Sequence, residues 1–179
     1  TGVLVCDGYS AYSKLAKDNP EIEIANCWAH ARRHFTNALK ATKDKKAASK
    51  TLAYKALRLI GRIYDEDKKS LKLEPEERTA YRHQKILPLV EALFAWIREH
   101  KDDVPAQSET GKGFTYCLNQ ESCLMTFLHN GLIPMDNSAS ERAIRPFTVG
   151  RKNWVLIDTV HGAASSAIIY SLIETAKAN

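Results

Sequence analysis

The sequence predicts an α/β domain interrupted by a mostly helical insertion, and three observations predict it. The first 43 residues alternate strand and helix patterns. Residues 47 to 130 carry helical periodicity and almost no strand signal. After Gly131 a short helix pattern and a longer terminal one return. The expected division is an α/β segment over 1–43, a helical block over 44–130 and a second α/β segment over 131–179.

In order, Val3-Leu4-Val5-Cys6 is an apolar run that reads as a short buried strand, ended by Asp7-Gly8. Tyr9 to Lys17 fits a helix, which Asn19-Pro20 stops. Ile22 to Cys27 alternates and reads as a second strand; a helix is expected from Trp28 to about Thr42. Leu52, Ala56, Leu59, Ile60 and Ile63 share one helix face, and Ile86, Val90, Leu93 and Ile97 share another. Pro75 before Glu76-Glu77 is a good helix start, and Pro88 is expected to kink or divide that helix. Phe114, Cys117, Leu118, Leu124, Phe127 and Leu128 predict a third helix, stopped at Asn130-Gly131. A short helix is expected from Ser138 to about Phe147, then an extended segment over Trp154 to Ile157. Gly162 to Ala178 reads as a terminal helix burying Ala167, Ile168, Leu172 and Ile173.

The 179 residues suffice for one domain with a sizeable core, and the composition is ordinary for a globular protein. No apolar run approaches the roughly 20 residues that span a membrane. The sequence opens on Thr1 and almost directly on a strand pattern, so it is expected to be part of a longer chain. No signal-peptide pattern is seen, and Cys6, Cys27, Cys117 and Cys123 are expected to be reduced. Cys6, Cys117 and Cys123 sit among apolar residues as small core fillers. The net charge of +5 is a modest hint of an anionic partner. Its distribution says more: basic residues crowd Arg32 to Lys46 and again Arg142 to Lys152.

Asp7 sits just past the end of a buried strand, where a carboxylate is held at an exposed edge and can bind a metal. From spacing alone, an Asp-Gly turn with the side chain bonded to backbone is the favoured explanation. Glu141 also has two readings. Ser138-Ala-Ser-Glu141 fits a capping box, yet Arg142 and Arg145 beside it suit phosphate. Asp136 reads as a turn or cap residue. Cys27-Trp-Ala-His30 has ligand types for zinc, but a structural site needs four ligands and no second pair is evident. His30, Arg32 and Arg33 can instead face nucleic acid from the helix after the second strand. No Ser-His-Asp order, phosphate-cradling glycine loop or dinucleotide fingerprint is present, and Gly111-Lys-Gly113 is too isolated to make one.

Several stretches together resemble the transposases of the insertion sequence 66 family, which are of the Asp-Asp-Glu class with a ribonuclease-H-like fold. They are Val5 to Tyr12, Asn26 to Phe35, Ile133 to Pro146, Gly150 to Trp154 and Tyr170 to Lys177, in the expected order. The helical middle resembles the family mainly by position. The resemblance implies a partial ribonuclease-H-like fold whose first strands, with the first catalytic aspartate, precede Thr1. It makes Asp7 the second catalytic aspartate and Glu141 the catalytic glutamate. They are 141 − 7 = 134 residues apart, and the helical block accounts for that interval. It further implies two Mg²⁺ ions, replaceable by Mn²⁺, held by Asp7 and Glu141 with the missing aspartate. DNA at transposon ends and targets would be met by His30, Arg32, Arg33, Arg142, Arg145, Arg151 and Lys152. Cys27 and His30 look like a Cys-x-x-His signature thought to support the transposon end. A homo-oligomer acting in the bacterial cytoplasm, at the nucleoid, is expected, and this chain alone is expected to be inactive. A DNA-binding or regulatory remnant, and an interaction module in which Glu141 is only a cap, are the competing readings.

Overall fold

The structure, a computed structural model, describes residues 2–42, 44–150 and 159–178. Its opening follows the alternation of the sequence. Strand β1 (Gly2–Cys6) leads through helix α1 (Ser10–Asp18) into strand β2 (Ile22–Asn26), and helix α2 (Trp28–Ala41) follows. The strands pair in parallel, with Gly2 opposite Ile22 and Cys6 opposite Asn26. Parallel neighbours need a crossover, and α1 supplies it. The α1 crossover ends where Asn19 Nδ2 donates to Leu15 O at 2.9 Å.

The middle is helical, as the periodicity requires. Helix α3 (Lys45–Ala48) is one turn, and α4 (Leu52–Lys69) starts on a Thr51 cap whose hydroxyl accepts from Tyr54 N. Helix α5 (Pro75–Tyr81) runs through a π-helical turn, Arg82–Ile86, into α6 (Leu87–His100). Pro88 therefore sits in the first turn of α6, where its missing N–H is tolerated, and the widened turn before it marks the expected division. The third predicted helix is in fact three pieces: α7 (Glu109–Asn119), α8 (Glu121–Met125) and a 3₁₀ turn, Thr126–His129. The break at Gln120 gives its side chain to Asn26 instead of to a continuous helix face.

The chain is thus mostly helical with one parallel pair, an α/β arrangement in reduced form. Two strands do not by themselves make a ribonuclease-H-like sheet. The core is built where α2, α4, α6 and α7 meet, around Trp28, Phe35, Ile60, Phe94, Phe114 and Phe127. Trp28 Nε1 donates to Leu124 O at 2.8 Å, so this core indole is satisfied. Helices α2 and α7 approach closely because position 113 has no side chain: a Cβ there would lie 2.8 Å from the Phe35 ring. Cys6, Cys27 and Cys117 are buried as free thiols, while Cys123 is half-buried.

A buried cation braces the middle. Arg82 is fully buried, its Nε donating to Asp67 Oδ1 at 2.8 Å. Its Nη1 donates to the carbonyls of Phe127, Asn130 and Ile133 at 2.6, 2.9 and 2.9 Å. The guanidinium also lies over the Phe127 ring at 4.9 Å.

Residues Thr1–Asn137 form one compact unit and Ser138–Asn179 a second. The second comprises α9 (Ser138–Gly150) and α10 (Val160–Ala178). The segment Trp154 to Ile157 lies outside the described residues. The buried side expected for α10 is not buried: Ile168 is 61% exposed, Leu172 67% and Ile173 43%, and Ala167 is exposed too. The helix is apolar nearly all round, so its sequence marks no single inner face. No helix among the described residues is long and apolar enough to cross a membrane.

Candidate active site at the carboxyl edge of the strand pair

The register that sets Cys6 opposite Asn26 places the next residues, Asp7 and Cys27, side by side beyond the strand ends. Cys27 N donates to Cys6 O at 2.8 Å and extends the ladder by one bond. In open α/β sheets this carboxyl edge is where ligands bind. Asp7 is half-buried there, and Gly8 turns the chain away with φ 81°, a left-handed conformation suited to glycine. Asp7 Oδ1 accepts from Tyr9 N at 3.0 Å, so the Asp-Gly turn is real. Tyr116 from α7 donates its hydroxyl to Asp7 O at 3.1 Å. The turn does not displace the carboxylate from the edge; it fixes it there, and Oδ2 has no hydrogen-bond partner among the described residues.

The neighbouring strand end is braced from the helical block. Asn26 Nδ2 donates to Gln120 Oε1 at 2.8 Å, and the Cys6 thiol faces Asn26 Oδ1 at 3.6 Å. Thr126 Oγ1 donates to Ile24 O at 2.9 Å. Trp28 N donates to Met135 O at 3.0 Å, which brings the 133–137 segment against the start of α2. There Asp136 Oδ2 accepts from Tyr64 Oη at 3.2 Å. Asp136 is therefore more than a turn residue: it anchors the segment to α4.

Burial and charge set the protonation of this edge. Burial, then the Asp136 carboxylate, pushes the Tyr64 phenol far above its ordinary value. Burial likewise raises Tyr116, with Cys27, Cys117 and Asp7 adding to it. Both phenols stay protonated as donors to their acidic partners' atoms. Burial raises the Cys27 thiol, although hydrogen bonding from the backbone of Asn137, His30 and Ala29 works against it. A thiol so held is a weak metal ligand. His34, behind Arg33, turns inward onto the Tyr116 ring at 5.4 Å, and burial lowers its pKa.

The sequence-predicted residues fall into three groups. Asp7, Cys27 and His30 gather at the strand ends, with Arg32 and Arg33 exposed on the first turns of α2. Glu141, Arg142 and Arg145 are exposed on α9 in the second unit, with Glu141 in the first turn, where the helix dipole favours an acid. Arg151 and Lys152 lie outside the described residues. Among the described residues no group of three or more His, Cys, Asp and Glu side chains is placed to hold a metal ion. Tyr64, Tyr116 and Gln120 were missed from sequence. Their partners lie 72, 109 and 94 residues away, and no local pattern marks them.

The profile of the Transposase IS66 family matches residues 1–165, which takes in the strand pair, the helical block and α9. The chain belongs to the IS66 family of transposases. Among its relatives are three uncharacterized proteins of Sinorhizobium fredii. The protein y4qI is 33% identical over 100% of this chain and 33% of its own length. The protein y4jD is 30% identical over 98% of this chain and 34% of its own length. For y4hP the figures are 31%, 99% and 34%. The chain thus spans about a third of the length of these relatives. No solved structure matches it. The IS66 match covers Asp7, the Cys27–Arg33 stretch and Glu141 together.

Proposed function

We propose that this chain is the carboxyl-terminal part of a ribonuclease-H-like catalytic domain, in an IS66 transposase that cleaves and joins transposon-end DNA. The observation that carries this reading is Asp7, pinned by the Tyr9 and Tyr116 contacts at the carboxyl edge of a parallel strand pair inside the family-matched segment.

The donor chemistry fits a hard divalent cation. Carboxylate oxygens suit Mg²⁺, and Asp7 keeps Oδ2 for it. Asp7 and Glu141 would hold the ions, with the third carboxylate that the family resemblance assigns to an earlier strand. Bound there, two such ions would supply Lewis-acid activation of a water or 3′-hydroxyl and charge stabilisation of the leaving oxygen. The chain's own groups act around them. Tyr116 and the Asx turn hold the Asp7 backbone and carboxylate in one orientation. Arg142 and Arg145 neutralise phosphates beside Glu141, and Arg32 and Arg33 hold adjacent duplex. The Tyr64–Asp136 bond keeps the segment leading to α9 against α4.

The test is cleavage of a transposon-end duplex by the full-length protein in Mg²⁺ or Mn²⁺. Glu141→Gln and Asp7→Asn are expected to reduce cleavage by at least about a hundredfold, as loss of a metal-binding carboxylate should, with duplex affinity nearly unchanged. Undiminished cleavage in either variant refutes the assignment. A folded wild-type protein that binds the duplex and never cuts it leaves the DNA-binding remnant as the reading.

A further inference from the structure

One face of α4 points to a second contact with nucleic acid, far in sequence from the strand ends. Lys55, Arg58 and Arg62 are exposed and spaced by three and four residues, so they share a stripe. Lys50 precedes the helix beside them, and the four line a surface groove of about 400 Å³ with Thr51 and Tyr54. No carboxylate lines that groove. None of the four is in an ion pair among the described residues.

Some exposed cations of the chain are paired, and others, Arg32 and Arg33 among them, are in no ion pair among the described residues. Lys69, Lys112 and Lys177 each pair with a glutamate three residues earlier, and Arg98 pairs with Glu121. A solvated helix face carries both signs, as the paired ones do; the groove lined by Lys50, Lys55, Arg58 and Arg62 carries one. The nearby acids of α4 are engaged elsewhere: Glu66 with Lys69 and Tyr81, Asp67 with Arg78 and Arg82. Asp65 and Glu66 stand one turn past Arg62 and share a neighbouring groove with it, so the acid-free stretch is Lys50 to Arg58 with Arg62 at its edge. The opposite face of α4, through Ala53, Ala56, Ile60 and Ile63, is locked in the core, so the stripe is rigid. Lys55 is further oriented by the Trp96 ring, 5.2 Å from its Nζ.

We infer that the α4 stripe binds the phosphate backbone of duplex DNA. From Lys55 to Arg62 the helix rises about 10 Å at about 1.5 Å per residue. That matches about three phosphates along one strand at 3.4 Å each. The Tyr54 hydroxyl in the same groove adds a neutral donor of the kind that accompanies phosphate contacts. Phosphate contacts carry no sequence information, so the contact is expected to be independent of sequence. The choice of DNA over another polyanion rests on the transposase reading; the charge argument does not.

The experiment is a salt titration of binding between the full-length protein and a labelled duplex of unrelated sequence. Lys55→Gln/Arg58→Gln/Arg62→Gln is expected to lower the slope of log affinity against log salt by about 2.7, at about 0.9 per phosphate. Affinity at low salt should fall at least tenfold. The charge-retaining variant Arg58→Lys/Arg62→Lys keeps the slope, which separates charge from folding. An unchanged slope and affinity in the folded neutral variant overturns the inference and leaves the stripe to solvent or an acidic protein. Cleavage is read separately: a protein that never cuts but loses the slope retains this inference and loses the catalytic reading.

Discussion

At the residue scale the strand-end chemistry is one of held protons. Burial pushes the Cys117 thiol from 9.0 up to about 12, and Cys6 and Cys27 are raised as well. The sign follows from linkage. Below the unfolded pKa both states keep the proton. Above it the unfolded chain loses the proton while the folded chain retains it, so stability falls as pH rises from 9.0 toward about 12. One such thiol contributes a slope of up to about 1.4 kcal/mol per pH unit. Urea midpoints measured from pH 8 upward should therefore decline less steeply in Cys117→Ala than in the wild type. Parallel declines would show that Cys117 titrates normally in the folded chain. Asp7 carries a different lesson. Its sequence context allows two readings, a turn or a ligand. In the structure the turn is present and still leaves Oδ2 without a hydrogen-bond partner among the described residues, so the turn does not exclude the proposed ligand role.

At the scale of elements, Arg82 ties three of them. It sits in the π-helical turn between α5 and α6, pairs with Asp67 near the end of α4, and ends the 3₁₀ turn by binding Phe127 O. Arg82→Met leaves Asp67 with Arg78 and the Ser70 hydroxyl and strips three carbonyls of a donor. The expected loss is about 3–5 kcal/mol, the cost of breaking a buried pair from one side. Arg82→Lys should recover little, because an ammonium cannot span the fork. Denaturant unfolding decides it: a loss below about 1 kcal/mol would mean that water replaces the guanidinium. This brace also marks the limit of what the sequence discloses. Strand β1, helix α1, strand β2 and helix α2 were legible, because Val3 to Cys6 and Ile22 to Asn26 announce their periods locally. A buried arginine inside a polar run, Arg82-His83-Gln84-Lys85, announces nothing, since its partners are 15 to 51 residues away. The same holds for Tyr64 with Asp136, and for Gln120, whose role interrupts a helix that periodicity alone would continue. In α10 the failure is of another kind. A helix apolar on every side predicts burial without saying against what, and Ile168 and Leu172 remain exposed.

At the scale of the molecule, every buried core residue of the main cluster lies between Ala25 and Met135, inside the first unit. The helical block is thus no appendage to the strand pair; it supplies most of the core on which the pair rests. The bond from Trp28 N to Met135 O closes a span of 135 − 28 = 107 residues. Closing that span as a random chain would be slow, but helical hairpins form first from local contacts and shorten it. The edge bearing Asp7 and Asp136 is therefore expected to be completed late, after the barrier. Met135→Ala, at a site 5% exposed, is expected to quicken unfolding and leave the folding rate almost unaltered. A slowed folding arm would place the strap in the nucleus instead. The late closure has a consequence during synthesis. Until the ribosome has released Met135, the strand ends lack the backbone partner of Trp28, so a nascent chain can hold a folded helical block while its carboxylates are still unassembled.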